Sequence, residues 1–376
     1  MSTTTRHAES NAAALYLSLE LGSTKWLVVS TTSLAQGPRR AAVRAGDRAA
    51  LIAEIRRAQA RFQCPSTAPV SSCFEAGRDG VWLHRWLERQ GVCHVVVDSS
   101  SIRVSRRNRQ AKTDRLDAEQ LLQMLVRHRT GERHVWSVVH VPSPDAEDRR
   151  QLSRELDTVQ ADRTRLRNRI ESLLVTQGIV GARPGDLVTS LATLRTGDGR
   201  RLGPGLRARL ARECHQLLVV EERWATLCTE RRQQLLEGQD AISQRARCLF
   251  EVRGIGEVGA ETLSAELFGS RTFQNGRQLG ALVGLVPTPF RSDQQIHEQG
   301  HSRAGRGALR GLMIQLAWGW LRWQPQSALT QWYQQRFASG PRARRIGIVA
   351  VARKLLIALW HYVEHGVVPE GATLKA

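Results

Sequence analysis

Residues 15–31 read LYLSLELGSTKWLVVST, two short apolar runs joined by a polar link. Runs of this length and pattern predict β-strands at 15–20 and 25–31. Outward from them, the pattern predicts a helix at 48–62, a strand at 70–75, a helix at 80–90 and a strand at 92–98. Strands interspersed with helices indicate an α/β layer fold.

A basic segment follows the last of these strands. Residues 99–115 have little apolar content and carry the cationic side chains of Arg103, Arg106, Arg107, Arg109, Lys112 and Arg115. We predict an exposed loop that leads into a helix from about residue 113 to 129. Four of these residues are candidate contacts to nucleic-acid phosphates: Arg106, Arg107, Lys112 and Arg115.

The middle of the chain has the pattern of two long helices. Apolar residues recur at coiled-coil spacing at Leu152, Leu156, Val159, Leu166, Ile170 and Leu173. A poorer seam in a second helix, at about 205–237, comprises Leu217, Trp224, Cys228, Arg231 and Leu235. The Gly- and Pro-rich residues 181–204 lie between them. An antiparallel hairpin within the chain and a dimer seam both fit this pattern.

A glycine motif marks the C-terminal third. Gly254-x-Gly256-x-x-Gly259 matches the dinucleotide-binding fingerprint, but helices are predicted on both sides where that fingerprint needs strands. A helix-hairpin-helix turn at Gly254 and Gly256 would instead present the next helix N-terminus to a phosphate, and an ordinary helical hairpin fits the spacing equally well. Beyond the motif we predict a loop at 288–305 and helices at 306–323, 328–337 and 347–365.

The composition favours a polyanionic partner. The 376 residues suffice for two or three domains, and 55 Lys and Arg residues against 35 Asp and Glu give a net charge of +20. Nucleic acid is favoured as this partner over an anionic membrane surface. No apolar run approaches ~18 residues, so no membrane-spanning helix is expected. The six cysteines lack metal-ligand spacing, and the polar start of the sequence has no secretory pattern. We expect a soluble cytoplasmic protein that does not bind membranes.

Four carboxylates form a candidate metal site. Asp114 and Asp117, three residues apart at the start of a predicted helix, share one helix face, although acidic residues there are also ordinary capping residues. Glu20 and Glu75 end two predicted strands, where apolar residues are more usual. Together the four could hold two Mg²⁺ ions that clamp the attacking and leaving oxygens of phosphodiester transfer.

Several motifs together resemble the DEDD-type insertion-sequence transposases of the IS110 family. KTDRLDA at residues 112–118 matches that family's KTDRxDA signature, and FEAG at 74–77 resembles its strand-end EAxG segment. RGIG at 253–256, GLVP at 284–287 and GxxxLR at 305–310 resemble its C-terminal transposase domain. The resemblance spans nearly the whole chain.

The resemblance implies a domain order and a set of partners. It implies a RuvC-like, RNase H-like α/β domain at 12–140, a coiled-coil helical hairpin with an insertion at 145–240, and a mostly α-helical transposase domain with a helix-hairpin-helix-like turn at 241–368. It also implies a bacterial homo-oligomer, a dimer or tetramer, that acts on the element ends and the target DNA and is guided by a structured RNA.

The resemblance also implies the reacting residues. Its four acidic positions fall on Glu20, in place of the usual Asp, and on Glu75, Asp114 and Asp117. Its nucleophilic serine lies between the GLVP and GxxxLR motifs. Ser292 is the first candidate for this serine and Ser302 the second. Arg291 and Arg303 are candidate phosphate contacts.

We interpret the sequence as a transposase that cleaves and rejoins DNA through a Mg²⁺-assisted, serine-linked intermediate. One alternative is a junction-resolving endonuclease that uses the four carboxylates and water. Another is a non-catalytic nucleic-acid-binding regulator whose carboxylates only cap helices. Metal-dependent nicking of supercoiled DNA would separate both enzymes from the regulator.

Overall fold

In the computed structural model the chain divides into two compact units, Met1–Val141 and Pro142–Ala376. The structure describes residues 14–77, 80–102, 114–132, 135–182, 184–269, 271–292, 295–301, 305–337 and 339–375. Each unit has its own hydrophobic core. The predicted division into domains at 12–140, 145–240 and 241–368 is finer than these two units and stays a prediction.

The first unit is built on a mixed five-stranded sheet. Its elements are β1 (Leu15–Leu21), β2 (Lys25–Thr31), β3 (Arg39–Arg44), α1 (Arg48–Arg61), β4 (Val70–Glu75), α2 (Gly80–Arg89), β5 (Cys93–Val97) and α3 (Asp114–Arg129). The strand order is β3-β2-β1-β4-β5. β2 is antiparallel to β1 and β3, whereas β1, β4 and β5 are parallel. The predicted α/β class of the N-terminal region is confirmed.

The sequence pattern does not predict β3. Its sequence, RRAAVR, contains three arginines, and Val43 is its only buried residue. β3 pairs with β2 from Ser30↔Arg39 to Lys25↔Arg44 and lies at the edge of the sheet. An edge strand is held by backbone hydrogen bonds along one side and tolerates charged side chains, so it lacks an apolar signature.

Helices cover both faces of this sheet. On one face, Leu15, Leu17 and Leu19 of β1 pack with apolar residues of α1 and α2. On the other face, Leu121 and Leu122 of α3 pack in two smaller clusters with residues of β1, β2, β4 and β5. The sheet is therefore the middle layer of three.

The second unit begins with a pair of long helices. Its first elements are α4 (Pro144–Asp148), α5 (Gln151–Val175), α6 (Pro184–Ser190) and α7 (Pro204–Glu237). α5 and α7 run antiparallel, since Arg169 pairs with Glu213 at one end and Glu155 pairs with Arg223 towards the other. The sequence leaves open an antiparallel hairpin within the chain and a dimer seam; in the structure α5 and α7 form the hairpin within the chain.

Most of the predicted seam of α5 is buried. Leu156, Val159, Leu166 and Ile170 are buried as expected, but the last buried position is Leu174 and not Leu173. The period of an α-helix is 3.6 residues and not 3.5, so a straight helix drifts away from a heptad seam. Leu152, the first residue of the predicted seam, is only half-buried, so the departures from the predicted seam lie at the two ends of α5.

The rest of the second unit is mostly helical. It comprises α8 (Ala241–Glu251), α9 (Glu257–Leu263), a π-helical segment (Ser264–Phe268), α10 (Gly276–Val283), β6 (Pro287–Ser292), β7 (Gln295–His301), α11 (Gly307–Trp323), α12 (Ala328–Phe337) and α13 (Pro341–His365). α13 begins at Pro341, six residues before the predicted 347, and proline is favoured in the first turn of a helix.

The predicted loop at 288–305 is wrong. β6 and β7 form an antiparallel hairpin whose register runs from Pro287↔His301 to Ser292↔Gln295. The sequence of this hairpin has little apolar alternation, so the pattern that reveals a half-buried strand is missing. The two strands are defined by their backbone pairing.

α13 is a central helix of the second unit. Eight of its apolar residues belong to the large core cluster that also contains Met313 and Trp320 of α11: Ile348, Val351, Ala352, Leu355, Leu356, Leu359, Trp360 and Tyr362. Among the described residues it is the one helix long and apolar enough to cross a membrane by length and composition, and half of that apolar window is buried inside the protein. The apolar residues of α13 therefore pack in the core of the second unit.

Candidate active site

Two of the predicted acidic residues lie at neighbouring strand ends. β1 and β4 are parallel, with Leu19 opposite Phe74, so Glu20 and Glu75 occupy the next position along each strand. Side chains alternate between the two faces of a strand, so both glutamates belong to the face opposite the Leu19 core. Glu20 is half-buried and Glu75 is exposed.

Helix α3 covers that same face and runs against the direction of the parallel strands. The Ser18 hydroxyl donates to the carbonyl of Ala118 at 2.6 Å, and at the far end of the helix Arg129 donates to the carbonyl of Cys93, the first residue of β5, at 3.3 Å. The first turn of α3 therefore lies towards the carboxyl ends of the strands. This turn carries Asp114 and Asp117.

The fold thus brings all four predicted carboxylates towards one edge and one face of the sheet. Carboxylate oxygens are the ligands that Mg²⁺ prefers in proteins, so the donor chemistry fits this ion. Across the described parts of the chain, however, no three His, Cys, Asp or Glu side chains lie close enough to hold a metal ion. The four carboxylates therefore do not form a complete metal site in this structure, and their assignment as metal ligands stays a prediction.

The negative charge of Glu119, another acidic residue of α3, is balanced by two arginines. Glu119 accepts hydrogen bonds from Arg40 of β3 at 2.5 Å and from Arg115 at 2.9 Å. The hydrogen bond from Arg40 lowers the pKa of Glu119 below its ordinary value, and the bond from Arg115 acts in the same direction. Arg115, one of the predicted phosphate contacts, is thus already paired on one side, although its side chain is 64% exposed.

The other predicted phosphate contacts of the loop lie outside the described residues. These are Arg106, Arg107 and Lys112. Their assignment as phosphate contacts stays a prediction.

The predicted nucleophile lies on the β6–β7 hairpin. Ser292 is the last residue of β6 and pairs with Gln295, and Arg291 pairs with Ile296. Ser292 is thus at the tip of a hairpin rather than in the irregular loop expected from sequence. Ser302 and Arg303 lie outside the described residues.

Gly305, which follows the β6–β7 hairpin, lies in close contact with the backbone of residues 281–284. Its φ of +106° lies in the region that favours glycine. A Cβ there would lie 2.7 Å from the carbonyl oxygen of Leu282 and 2.8 Å from the amide nitrogen of Gly284. This close approach explains the glycine that begins the GxxxLR motif.

The glycine turn between α8 and α9 has helices on both sides, as predicted, and Gly254 has a φ of +92°. The C-terminal tail packs against this turn. The amide of Arg253 donates to the carbonyl of Thr373 at 3.1 Å, and Lys375 donates to the carbonyl of Ile255 at 2.8 Å. These contacts favour a structural role for the turn, and phosphate binding by Gly254 and Gly256 stays a prediction.

Among the described residues, the buried charged residues are not those predicted from sequence: they are Glu54, Arg150, Glu261 and Glu266. Glu266 lies in the π-helical segment, is 4% exposed and pairs with three arginines: Arg150, Arg154 and Arg306. The available signal is an acidic residue inside the otherwise apolar run LSAELF at 263–268. Its partners lie 40 or more residues away along the chain, so no local pattern identifies them.

Comparison with known proteins matches two stretches of the chain to transposase families. Residues 246–332, which include Gly254 and Ser292, match the family described as "Transposase IS116/IS110/IS902 family". Residues 66–177, which include Glu75, Asp114 and Asp117, match a family of DEDD transposases of the IS110 type, described as "Transposase".

Similar proteins extend these matches. "Putative transposase y4rJ" of Sinorhizobium fredii is 42% identical over 380 aligned residues, which cover 96% of this chain and 95% of that protein. "Transposase for insertion sequence element IS1328" of Yersinia enterocolitica is 26% identical over 264 residues, which cover 68% of this chain and 73% of that protein.

Proposed function

The chain belongs to the IS116/IS110/IS902 family of transposases and is a DNA transposase, and on that premise we propose how it acts. It cleaves and rejoins strands at the ends of an insertion sequence and at the target. Four carboxylates and Ser292 carry the reaction. The observation that supports the carboxylates most directly is the shared edge and face of Glu20, Glu75 and the first turn of α3.

The proposed metal ligands are Glu20, Glu75, Asp114 and Asp117. Membership of a DEDD transposase family implies the use of a divalent metal, and we assign it as Mg²⁺ because the donors are all carboxylates. When bound, the metal would neutralise charge on the attacked phosphate. Glu20 is one methylene longer than the Asp usual in the family, so its carboxylate reaches about one bond length further from the strand.

Ser292 is proposed to act as the nucleophile. Its Oγ forms a bond to phosphorus while the bond from phosphorus to one strand's sugar oxygen breaks; the serine proton is lost to solvent or a base, and the leaving oxygen is protonated. A hydroxyl of a second strand then attacks the same phosphorus and loses its proton; the bond from phosphorus to Oγ breaks and Oγ is protonated, which rejoins the DNA and restores the serine. Arg291 and Arg303 hold the phosphate in this proposal.

We propose that a structured RNA guides target choice and that the active species is a dimer or tetramer in the bacterial cytoplasm. The net charge of +20 supports a polyanionic partner, and family membership supports the oligomer and the RNA. We also propose that residues 12–140 form a RuvC-like domain. Its support is the sheet order β3-β2-β1-β4-β5, with an antiparallel half and a parallel half.

Trapping the protein–DNA adduct tests the proposal. A nicked suicide substrate, analysed by denaturing electrophoresis, should give a shifted band with the parent protein in Mg²⁺, and Ser292→Ala should lose both band and recombination. Ser302→Ala is the matched control and should keep both. Loss in Ser302→Ala alone would move the nucleophile to Ser302.

Other outcomes would support the alternatives. Metal-dependent cleavage without any adduct would favour an endonuclease that uses water. If supercoiled DNA is not nicked at all in Mg²⁺, a non-catalytic regulator is the better account.

A further inference from the structure

The end of α12 and the start of α13 carry four arginines within ten residues of the chain. They are Arg336, in the last turn of α12, and Arg342, Arg344 and Arg345, at the start of α13. All four residues are exposed, and we call them the α12–α13 arginines.

No carboxylate balances the charge of the α12–α13 arginines. Within the described part of the chain, none of their guanidinium groups forms a hydrogen bond or an ion pair. The sequence has no Asp or Glu from residue 299 to residue 363, and the same stretch contains ten Lys and Arg residues. The next acidic residue, Glu364 of α13, lies 3.6 Å from Arg245 and is already paired.

Exposed arginines of the long helix pair are used differently. Arg169 of α5 lies 2.9 Å from Glu213 of α7, and Arg223 of α7 pairs with Glu155 of α5. Each of these ion pairs joins one helix to the other. Internal pairing therefore explains Arg169 and Arg223 but does not explain the α12–α13 arginines.

The position of these arginines is unfavourable for the free protein. Arg342 and Arg345 are three residues apart, so they are neighbours on the helix surface, where like charges repel each other. The first turn of an α-helix also has a positive partial charge. In α13 this turn contains Arg342 and Arg344 but no acidic residue, and its N-cap residue, Gly340, provides no side-chain hydrogen bond. A bound polyanion would remove both costs.

The two helix ends are packed firmly against each other. Gly347, two residues after Arg345, has no room for a side chain, because a Cβ there would overlap the ring of Phe337 at the end of α12. The Phe337 ring also packs against Trp332 and Tyr333, with ring centroids 5.3 and 6.1 Å apart. The helices that carry the arginines are thus fixed relative to each other before any ligand binds, which lowers the entropic cost of binding.

We propose that the α12–α13 arginines bind the sugar-phosphate backbone of duplex DNA. The charges are complementary, and a guanidinium group binds a phosphate through two parallel N–H···O bonds. DNA is the polyanion on which a transposase acts, so the identity of the ligand rests on the proposed function. The α12–α13 arginines lie outside residues 246–332, which match the IS116/IS110/IS902 family, and none of them belongs to the proposed catalytic residues.

Equilibrium binding without cleavage tests the proposal. The full-length parent and the double variant Arg342→Gln/Arg345→Gln are titrated in EDTA with a short fluorescein-labelled DNA duplex at several salt concentrations. The variant should bind about tenfold more weakly, and its log–log salt slope should fall by about 1.8, because each lost phosphate contact accounts for about 0.9. Backbone contacts carry no base information, so duplexes of different sequence should be affected alike.

Arg209→Gln/Arg212→Gln is the matched control. Both arginines are exposed, three residues apart on α7, and unpaired within the described residues, but α7 also contains acidic residues. This control removes the same charge, and it should keep the parent salt slope and bind within about twofold of the parent. Equal weakening by the two double variants would show that binding follows net charge alone and would overturn the proposal.

Two further measurements separate a phosphate contact from a structural role. Arg342→Lys/Arg345→Lys keeps both charges and should keep the parent salt slope, and a slope as low as that of the glutamine pair would contradict the proposal. The Tm of the glutamine pair without DNA should equal or exceed that of the parent, because repulsion at the start of α13 is removed. A lower Tm with parent-like binding would make these arginines structural. If the glutamine pair does not fold, Arg336→Gln decides, with an expected fall in slope of about 0.9.

An RNA hairpin of similar charge tests the competing partner. Weaker binding of the hairpin by the glutamine pair, with parent-like binding of the duplex, would overturn the DNA proposal and assign the surface to RNA. Parent-like binding of both probes would show that the surface binds neither. Because the assay contains no metal and no cleavage, these results leave the proposed roles of the carboxylates and Ser292 intact, and failure of the adduct experiment would leave the binding result intact.

Discussion

The candidate metal ligands of the first unit and Glu266 of the second unit lie in opposite settings. In the first unit, Glu75 and Asp114 are exposed at the edge of a sheet. In the second, Glu266 is 4% exposed and is surrounded by arginines from separate segments. An exposed acid can be removed without disturbing the core, whereas a buried paired acid is part of what holds the fold together. Substitution should therefore cost activity in the first unit and stability in the second.

The largest expected effect is on strand cleavage. Asp117→Asn or Asp114→Asn should reduce cleavage by about a thousandfold or more, because several kcal/mol of metal-derived transition-state stabilisation would be lost. DNA and RNA binding and Tm should stay close to the parent values. Asp145→Asn, which removes an exposed acid from the first turn of α4, is the matched control and should cleave normally. Full cleavage by both α3 variants would remove these residues from the site.

The next effect is on the stability of the second unit. Glu266→Gln removes the buried ion pair between Glu266 and Arg150 and should lower the free energy of unfolding by about 3–5 kcal/mol. Glu119 also binds two arginines, but its side chain is 22% exposed, and Glu119→Gln should cost at most about 1 kcal/mol. Urea unfolding of both variants measures the contrast. Equal losses would show that burial does not distinguish these clusters.

Acid should weaken the first unit before the second. His94 of β5 is 5% exposed, and the Ser72 hydroxyl lies 2.6 Å from its Nδ1. Burial, with the positive charges of His84 and Arg129, lowers the pKa of His94 to about 3. Below its unfolded pKa of about 6.5 the unfolded state binds more protons, so stability should fall by up to about 1.4 kcal/mol per pH unit as pH falls towards 3.

Glu266 loses its contribution to stability at a lower pH than the pH at which His94 begins to destabilise the first unit. Burial alone would raise its pKa, but the hydrogen bond from Arg306 and the charges of Arg150 and Arg154 outweigh burial, so the pKa lies below its ordinary value. Its stabilising contribution is present above the unfolded pKa of about 4.5 and is lost only as pH falls below that value. Melting curves from pH 7 to 4 test the order. His94→Gln should flatten the early loss, and His365→Gln, at an exposed position, should not.

The same contrast explains how far the sequence is predictive. The strands β1, β2 and β4 and the helix α3 each bury an apolar face, so periodicity locates them within a residue or two. The strands that were missed, β3, β6 and β7, are held by backbone pairing and have little apolar alternation. Parallel strands end at one edge, so the placement of Glu20 and Glu75 follows from topology. The ion pairs of Glu266 depend on contacts between distant segments, which no local pattern records.

The smallest effect concerns the cationic surface beside the candidate active site. Glu119 already pairs with Arg40 and Arg115, so Arg115→Gln should lower the log–log salt slope of duplex DNA binding by less than the about 0.9 expected for a full phosphate contact. Arg106→Gln and Arg107→Gln, from the predicted basic loop, should each approach 0.9 and weaken all DNA sequences alike. Glu119→Gln supplies the opposite test: it frees both arginines and should strengthen binding two- to threefold, about 0.5 kcal/mol, while Tm stays close to the parent value. If Glu119→Gln weakens binding, the Arg40–Glu119–Arg115 group holds the start of α3 in position, and Arg115 is a structural residue rather than a phosphate contact.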